Sequence, residues 1–155
     1  MDTSRTVLLA KHVMQKAVFV LRHDRQVLDA VDDLIQRGIS GAPVLEDGRL
    51  AGVFSERDAL RAISCAHYEQ EPPGTVAVHM RRDFATVGPD TDIFEVAEVF
   101  RSQPIRRVPV VDADRRLLGI ILRGDVLKGL RQAFHSREKT NYEKLQEHMS
   151  LRHSS

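Results

Sequence analysis

Two short segments hold residue types able to do chemistry. The first is Gly52-Val53-Phe54-Ser55-Glu56-Arg57-Asp58. An apolar run ends at Phe54, and a helix is expected to begin at Ser55. A helix N-terminus presents unpaired backbone N–H groups and a partial positive charge, which suits phosphate. Ser55 adds a hydroxyl donor, and Asp58, one turn later, has the geometry to accept two hydrogen bonds from a ribose diol. The same Ser-x-x-Asp pattern also describes an N-cap whose acid faces the helix dipole. The segment alone fits both readings. The second segment is Gly119-Ile120-Ile121-Leu122-Arg123-Gly124-Asp125. Asp125 stands where Asp58 stands in the first, and Gly124 permits close backbone approach. Leu122, however, replaces the serine. Arg106-Arg107 precede Val108-Pro109, and a guanidinium fork matches phosphate oxygens in bidentate fashion. A solvated strand end or a surface salt bridge is the competing reading for this pair. Arg57 and Arg123 flank the two segments as secondary candidates.

Other chemistries lack their residues. No G-x-G-x-x-G follows an expected strand, and no G-x-x-x-x-G-K-[ST] occurs. The seven histidines have no ligand spacing, so no metal is expected. Cys65 and His67 lie two positions apart, which on a helix points them away from each other. Cys65 reads as a filler thiol. Ser55 has no G-x-S-x-G elbow. With no nucleophile and base in register, no catalytic residue is expected.

Composition narrows the partners. The 155 residues include 23 Lys+Arg and 22 Asp+Glu, a net charge of +1, with two tyrosines. The doublets Arg81-Arg82, Arg106-Arg107 and Arg115-Arg116 are therefore weak footing for nucleic acid. No apolar run approaches a membrane span, and Val7–Ala10 is too short for a signal-peptide core. One cysteine excludes an intramolecular disulfide framework. A soluble, cytoplasmic protein is expected.

The elements that must position these residues come in two copies. Ile39-Ser40-Gly41-Ala42-Pro43-Val44-Leu45 aligns with Ile105-Arg106-Arg107-Val108-Pro109-Val110-Val111 at an offset of 66 residues. The same offset matches Met14 with Met80, Asp24 with Asp90, and Leu34 with Phe100. Beyond the prolines one inserted residue raises the offset to 67, matching Gly52 with Gly119 and Asp58 with Asp125. Each copy reads as a short first strand (Val18–Leu21, Phe84–Val87) and then an amphipathic helix carrying Val27, Val31 and Leu34, or Ile93, Val96 and Phe100. A hairpin follows, around Asp47-Gly48 or Asp112–Arg116. A second helix starts near Glu56 or Asp125. Asp92 with Glu95 is a candidate capping box, and Gly38 is a natural helix terminator. The order is β-α-β-β-α, twice. Such small units are expected to pack sheet to sheet. The expected division is an N-terminal segment at 1–11, a first unit at 12–64, a linker at 65–77 and a second unit at 78–131. The polar tail at 132–155, with Tyr142, Leu145 and Met149 at helical spacing, is expected to be helical.

This order, with an hxxhPVh strand carrying Pro43 or Pro109 and then G-h-h-[ST]-x-x-[DN], resembles the cystathionine β-synthase (CBS) domain. The resemblance spans about residues 12–130. Two in tandem resemble a Bateman module, an α/β (α+β) fold with pseudo-two-fold symmetry. The resemblance implies a stand-alone regulatory protein that binds AMP, ADP, ATP or S-adenosylmethionine in clefts between the paired units. It implies a homodimer shaped as a flat disc, an unidentified regulated protein as partner, and no metal. Leu122 departs from the family's Ser or Thr, which unsettles the phosphate contact of one cleft. In the family, basic residues at the Arg106-Arg107 positions often face phosphates, so Arg107 is a candidate to compensate. Val18 and Phe84 hold the positions that flank adenine, and ordinary core packing is the competing reading there. The alternative function is a dimeric structural or interaction module whose pockets are vestigial. Retained Asp in both copies argues against that alternative.

Overall fold

A computed structural model describes residues 7–153. The element order is α1 (Ala10–Val13), β1 (Leu21–Arg22), α2 (Val27–Arg37), β2 (Gly41–Glu46), β3 (Arg49–Ser55), α3 (Glu56–Glu69), α4 (Val76–His79), α5 (Ile93–Ser102), β4 (Arg107–Val111), β5 (Leu117–Leu122) and α6 (Arg123–His153). In α2, Val27, Ala30 and Leu34 are buried on one face. The helix stops at Gly38, whose φ of 63° is left-handed and whose N–H reaches the last-turn carbonyls. In α5, Asp92 caps the helix by accepting from the Phe94 N–H. The expected reciprocal contact from Glu95 is not part of this cap.

The repeat survives in the hydrogen bonding. β2 pairs antiparallel with β3, and β4 with β5. Register slips after Val44 in one hairpin and after Val110 in the other, the same position in each copy. The inserted residue sits in the second turn. The first is a tight Asp47-Gly48 turn with both φ values positive. The second holds Asp112–Arg116, where Asp112 Oδ1 accepts from the N–H groups of Asp114 and Arg116.

The expected first strands are shorter than the apolar runs that suggested them. Leu21 and Arg22 pair parallel with Val44 and Leu45, and Val87 pairs with Val110 in an isolated bridge. Extending either ladder backwards would need the N–H of Pro43 or Pro109, and proline has none. Residues 18–20 and 84–86 therefore leave the sheet.

Two cores form, and each takes in the leading segment of the other unit. Val76 and Met80, at the leading end of the second copy, pack into the core of Leu21, Val27, Val44 and Phe54. Ala10, Val13 and Met14, at the leading end of the first copy, pack with Ile93, Val108 and Ile121. Backbone pairs fix the exchange: Val53 with Arg81 at 2.9 Å both ways, and Gln15 with Ile120 at 2.8 and 3.0 Å. The crossing is close enough to require glycine. A Cβ on Gly52 would lie 2.5 Å from Met80 Sδ, and one on Gly119 would lie 2.7 Å from Met14 Sδ. A two- or three-stranded sheet cannot hide a face alone, so the exchange completes each core. The hairpin ends meet at Arg49 and Arg116, residues matched by the repeat and so placed on the pseudo-two-fold axis.

The tail forms no separate element. α6 is one helix of 31 residues, continuous from the Leu122–Asp125 segment, with Tyr142, Leu145 and Met149 exposed. Ser154 and Ser155 lie outside the described residues. Among the described residues no helix is long and apolar enough to cross a membrane.

Candidate functional site

A cleft of about 450 Å³ opens where the two units meet. One wall is the junction of β3 with α3, bearing Val53, Ser55, Glu56 and Arg57, together with Ser40 just before β2. The opposite wall is Arg81, Phe84 and Ala85, then the run from Pro104 to Arg107, and Pro109. Phe84 and Ala85 stand there because Pro109 releases them from the sheet, so a strand residue becomes a cleft residue.

Ser55 is the N-cap of α3. Its N–H and its hydroxyl each donate to Asp58 Oδ2 at 2.9 Å, and its Oγ accepts from the Asp58 N–H at 3.4 Å. Arg61 donates to Asp58 Oδ1 at 2.9 Å. Asp58 is 1% exposed and closes a capping box. In this state its oxygens serve the helix start, and Asp58 does not line the cleft.

The second copy is built differently at the same position. Asp125 Oδ2 accepts from the Leu122 N–H at 2.9 Å. Without a serine hydroxyl, the Gln15 side chain supplies the next donor, at 3.2 Å to Oδ2 and 3.5 Å to Oδ1. Asp125 is half-buried, and Leu122 is 38% exposed.

Arg107 reaches across the pseudo-two-fold axis. Its guanidinium donates to Ser40 Oγ. Its Nη1 would lie 2.9 Å from a Cβ on Gly41, which is the residue matching Arg107 in the other copy. The absence of a side chain at Gly41 makes room for the guanidinium. Burial pushes the Arg107 pKa down, Arg106 adds to the effect, and Glu56 opposes it. A partly desolvated cation thus sits beside a second cation with a neutral hydroxyl as hydrogen-bond partner.

Of the residues singled out from sequence, the cleft unites Ser55, Arg57, Phe84, Arg106, Arg107 and Pro109. Val18, Pro43, Asp58, Arg123 and Asp125 are not among its lining residues. Ser40, Glu56, Ala85 and Arg81 were not anticipated as site residues. Arg81 had a readable signal: it follows Met80, which the offset matches with Met14, and so corresponds to Gln15. Among the described residues no cluster of three or more His, Cys, Asp or Glu is arranged to hold a metal ion.

Comparison with known proteins shows the family and the fold. The CBS domain family matches twice, at residues 10–65 and 75–132. An uncharacterized protein of Methanocaldococcus jannaschii is 30% identical over 156 residues, covering 80% of this chain and 92% of that protein. The A-adding tRNA nucleotidyltransferase of Aquifex aeolicus is 31% identical over 126 residues, 81% of this chain. The chain spans only 15% of that enzyme's length. Among solved structures, CBSX2 in complex with AMP superposes with a TM-score of 0.71 at 28% identity, covering 80% of this chain and 96% of that one. CBSX2 is a CBS-pair protein from Arabidopsis thaliana. The CBS domain pair of protein MJ0100, in complex with 5′-methylthioadenosine and S-adenosyl-L-methionine, superposes with a TM-score of 0.65 at 25% identity, covering 79% and 99%. With two matching segments in register and two tandem units folded to match, the chain belongs to the CBS domain family as a CBS pair.

Proposed function

We propose that this CBS pair is a regulatory module rather than an enzyme, and that it binds an adenosine ligand in the Ser55–Arg107 cleft. One observation carries the reading. A single cleft combines the N-terminus of a long helix, a serine at its cap, three arginines from the facing unit, and apolar Phe84 beside Pro109. The helix end and arginines suit phosphate, and a flat apolar wall suits a base. The AMP complex of CBSX2 supports the ligand class. Because the walls come from both units, an occupant bridges them. A ligand that favours one packing of the units shifts that packing by its differential affinity, and no more.

The module acts as a cytoplasmic homodimer on a partner protein. Exposed apolar residues recur at matched positions of the helices, Leu28 with Phe94 and Leu60 with Leu127. Apolar residues exposed at positions matched about a pseudo-two-fold are suited to meet a second copy about a true one. Sedimentation of the full chain checks the oligomeric state.

A dimeric interaction module with vestigial pockets is the second reading. It is favoured by Leu122 and by the engagement of Asp125 with Gln15. Calorimetry on ligand-free protein with AMP, ADP, ATP and S-adenosylmethionine separates the two. Saturable heat supports the regulatory reading, and none at millimolar ligand rejects it.

A further inference from the structure

The cleft is richer in arginine than the positions that match it by the repeat. Arg57, Arg81, Arg106 and Arg107 line it, and Glu56 is the one acid among its lining residues. The matching positions of the other copy are Gly124, Gln15, Ser40 and Gly41, and Glu56 is matched by Arg123. Ser40, which also lines the cleft, is matched by Arg106, so the lining carries four cations and one acid while the matched positions carry two cations, Arg106 and Arg123, and no acid.

Resting on the adenosine reading above, we propose that this cleft selects a polyphosphate-bearing nucleotide over the sulfonium ligand S-adenosylmethionine, with these four arginines as its specificity set. Among the described residues none of the four forms an ion pair within the chain. Arg107 in particular is part-buried against a neutral hydroxyl, with Gly41 cleared for it. A partly desolvated cation that forms no ion pair is costly even with Glu56 nearby, and an incoming anion relieves that cost through charge-assisted, bidentate bonds. Each terminal phosphate brings roughly two negative charges. A sulfonium brings a permanent positive one into the same field, where like charges repel.

The test is titration calorimetry on the full chain, stripped of ligand, with ATP, AMP, adenosine, S-adenosylmethionine and inorganic triphosphate. The expected order is ATP, then AMP, then adenosine, with S-adenosylmethionine at least about tenfold weaker than ATP. Inorganic triphosphate competes with ATP. The variants R107Q and R81Q each weaken ATP about tenfold or more and weaken adenosine less. Circular dichroism confirms that both are folded. S-adenosylmethionine binding as tightly as ATP overturns the selectivity and leaves the adenosine reading intact. Triphosphate binding with no response to any adenosine compound upholds the anion site and overturns the adenosine reading. Silence from every probe overturns both.

Discussion

Replacing Asp58 by alanine tests how the capping box holds the start of α3, and the other copy provides the control. Asp58 accepts from the Ser55 N–H, from the Ser55 hydroxyl and from Arg61, and it is 1% exposed. Loss of a capping side chain costs about 1 kcal/mol. Leaving the Ser55 N–H without its acceptor in a part-buried setting costs a further 1–3 kcal/mol or so. The Arg61 side chain is 56% exposed, so its ion pair adds little. Together these terms give an expected loss for D58A of about 2–4 kcal/mol. For a chain of this size that lowers Tm by roughly 5–12 °C. Asp125 accepts one backbone N–H at 2.9 Å and a longer contact from Gln15, and it is half-buried. D125A is therefore expected to cost only about 0.5–1.5 kcal/mol. Urea unfolding followed by circular dichroism, at one protein concentration and without ligand, measures both. D58N keeps an oxygen for the Ser55 N–H and should fall between wild type and D58A. If D58A costs less than about 0.5 kcal/mol, or no more than D125A, the capping argument is wrong.

Three further outcomes follow from the same geometry. G52A is expected to cost about 1–3 kcal/mol by overpacking, because its Cβ meets Met80 Sδ at 2.5 Å and the Arg81 carbonyl at 2.9 Å; a urea midpoint equal to wild type would show that the exchanged segment yields easily. R107Q should leave the ligand-free protein unchanged or more stable by up to about 1 kcal/mol, since it removes a desolvated cation and keeps a donor for Ser40, and differential scanning calorimetry reads this directly. Asp24 is held below its ordinary value of 3.8 by the hydrogen bond from Arg22, and Glu98 below 4.5 by the hydrogen bond from Arg101. Both pairs favour the folded state above those values and lose that support as the pH falls through the lower folded values. Both are exposed, so the decline is small, salt suppresses it, and it flattens in a variant lacking Arg22 and Arg101.

Much of the site was legible because the repeat compares the protein with itself. Matching Ser55 with Leu122 marks the chemical inequality of the two copies, and the contacts have the same inequality: a serine cap in one, a borrowed Gln15 in the other. The shortened first strands were harder to anticipate. The apolar runs at Val18–Leu21 and Phe84–Val87 carry a strand signal, and only the parallel register against Pro43 and Pro109 shows where the ladder ends. Asp58 fits both a ribose anchor and a helix cap by residue type, and its side chain is turned inward to Ser55 and Arg61, an arrangement set by burial that the residue type leaves open.

The amino-acid order alone determined the two-copy plan, the hairpins, the extra residue in the second turn, the left-handed stop at Gly38 and the two helix starts. All of these rest on contacts a few residues apart, or on an internal match that needs no partner in space. Tertiary structure decided the rest. It sent α1 into the second core and α4 into the first. It drew Arg107 across the axis to Ser40 and added Arg81 to the cleft. These contacts join residues tens of positions apart, or lie between the two copies. Periodicity marks which face of an element is buried, and the burial demands of two incomplete sheets choose what covers it.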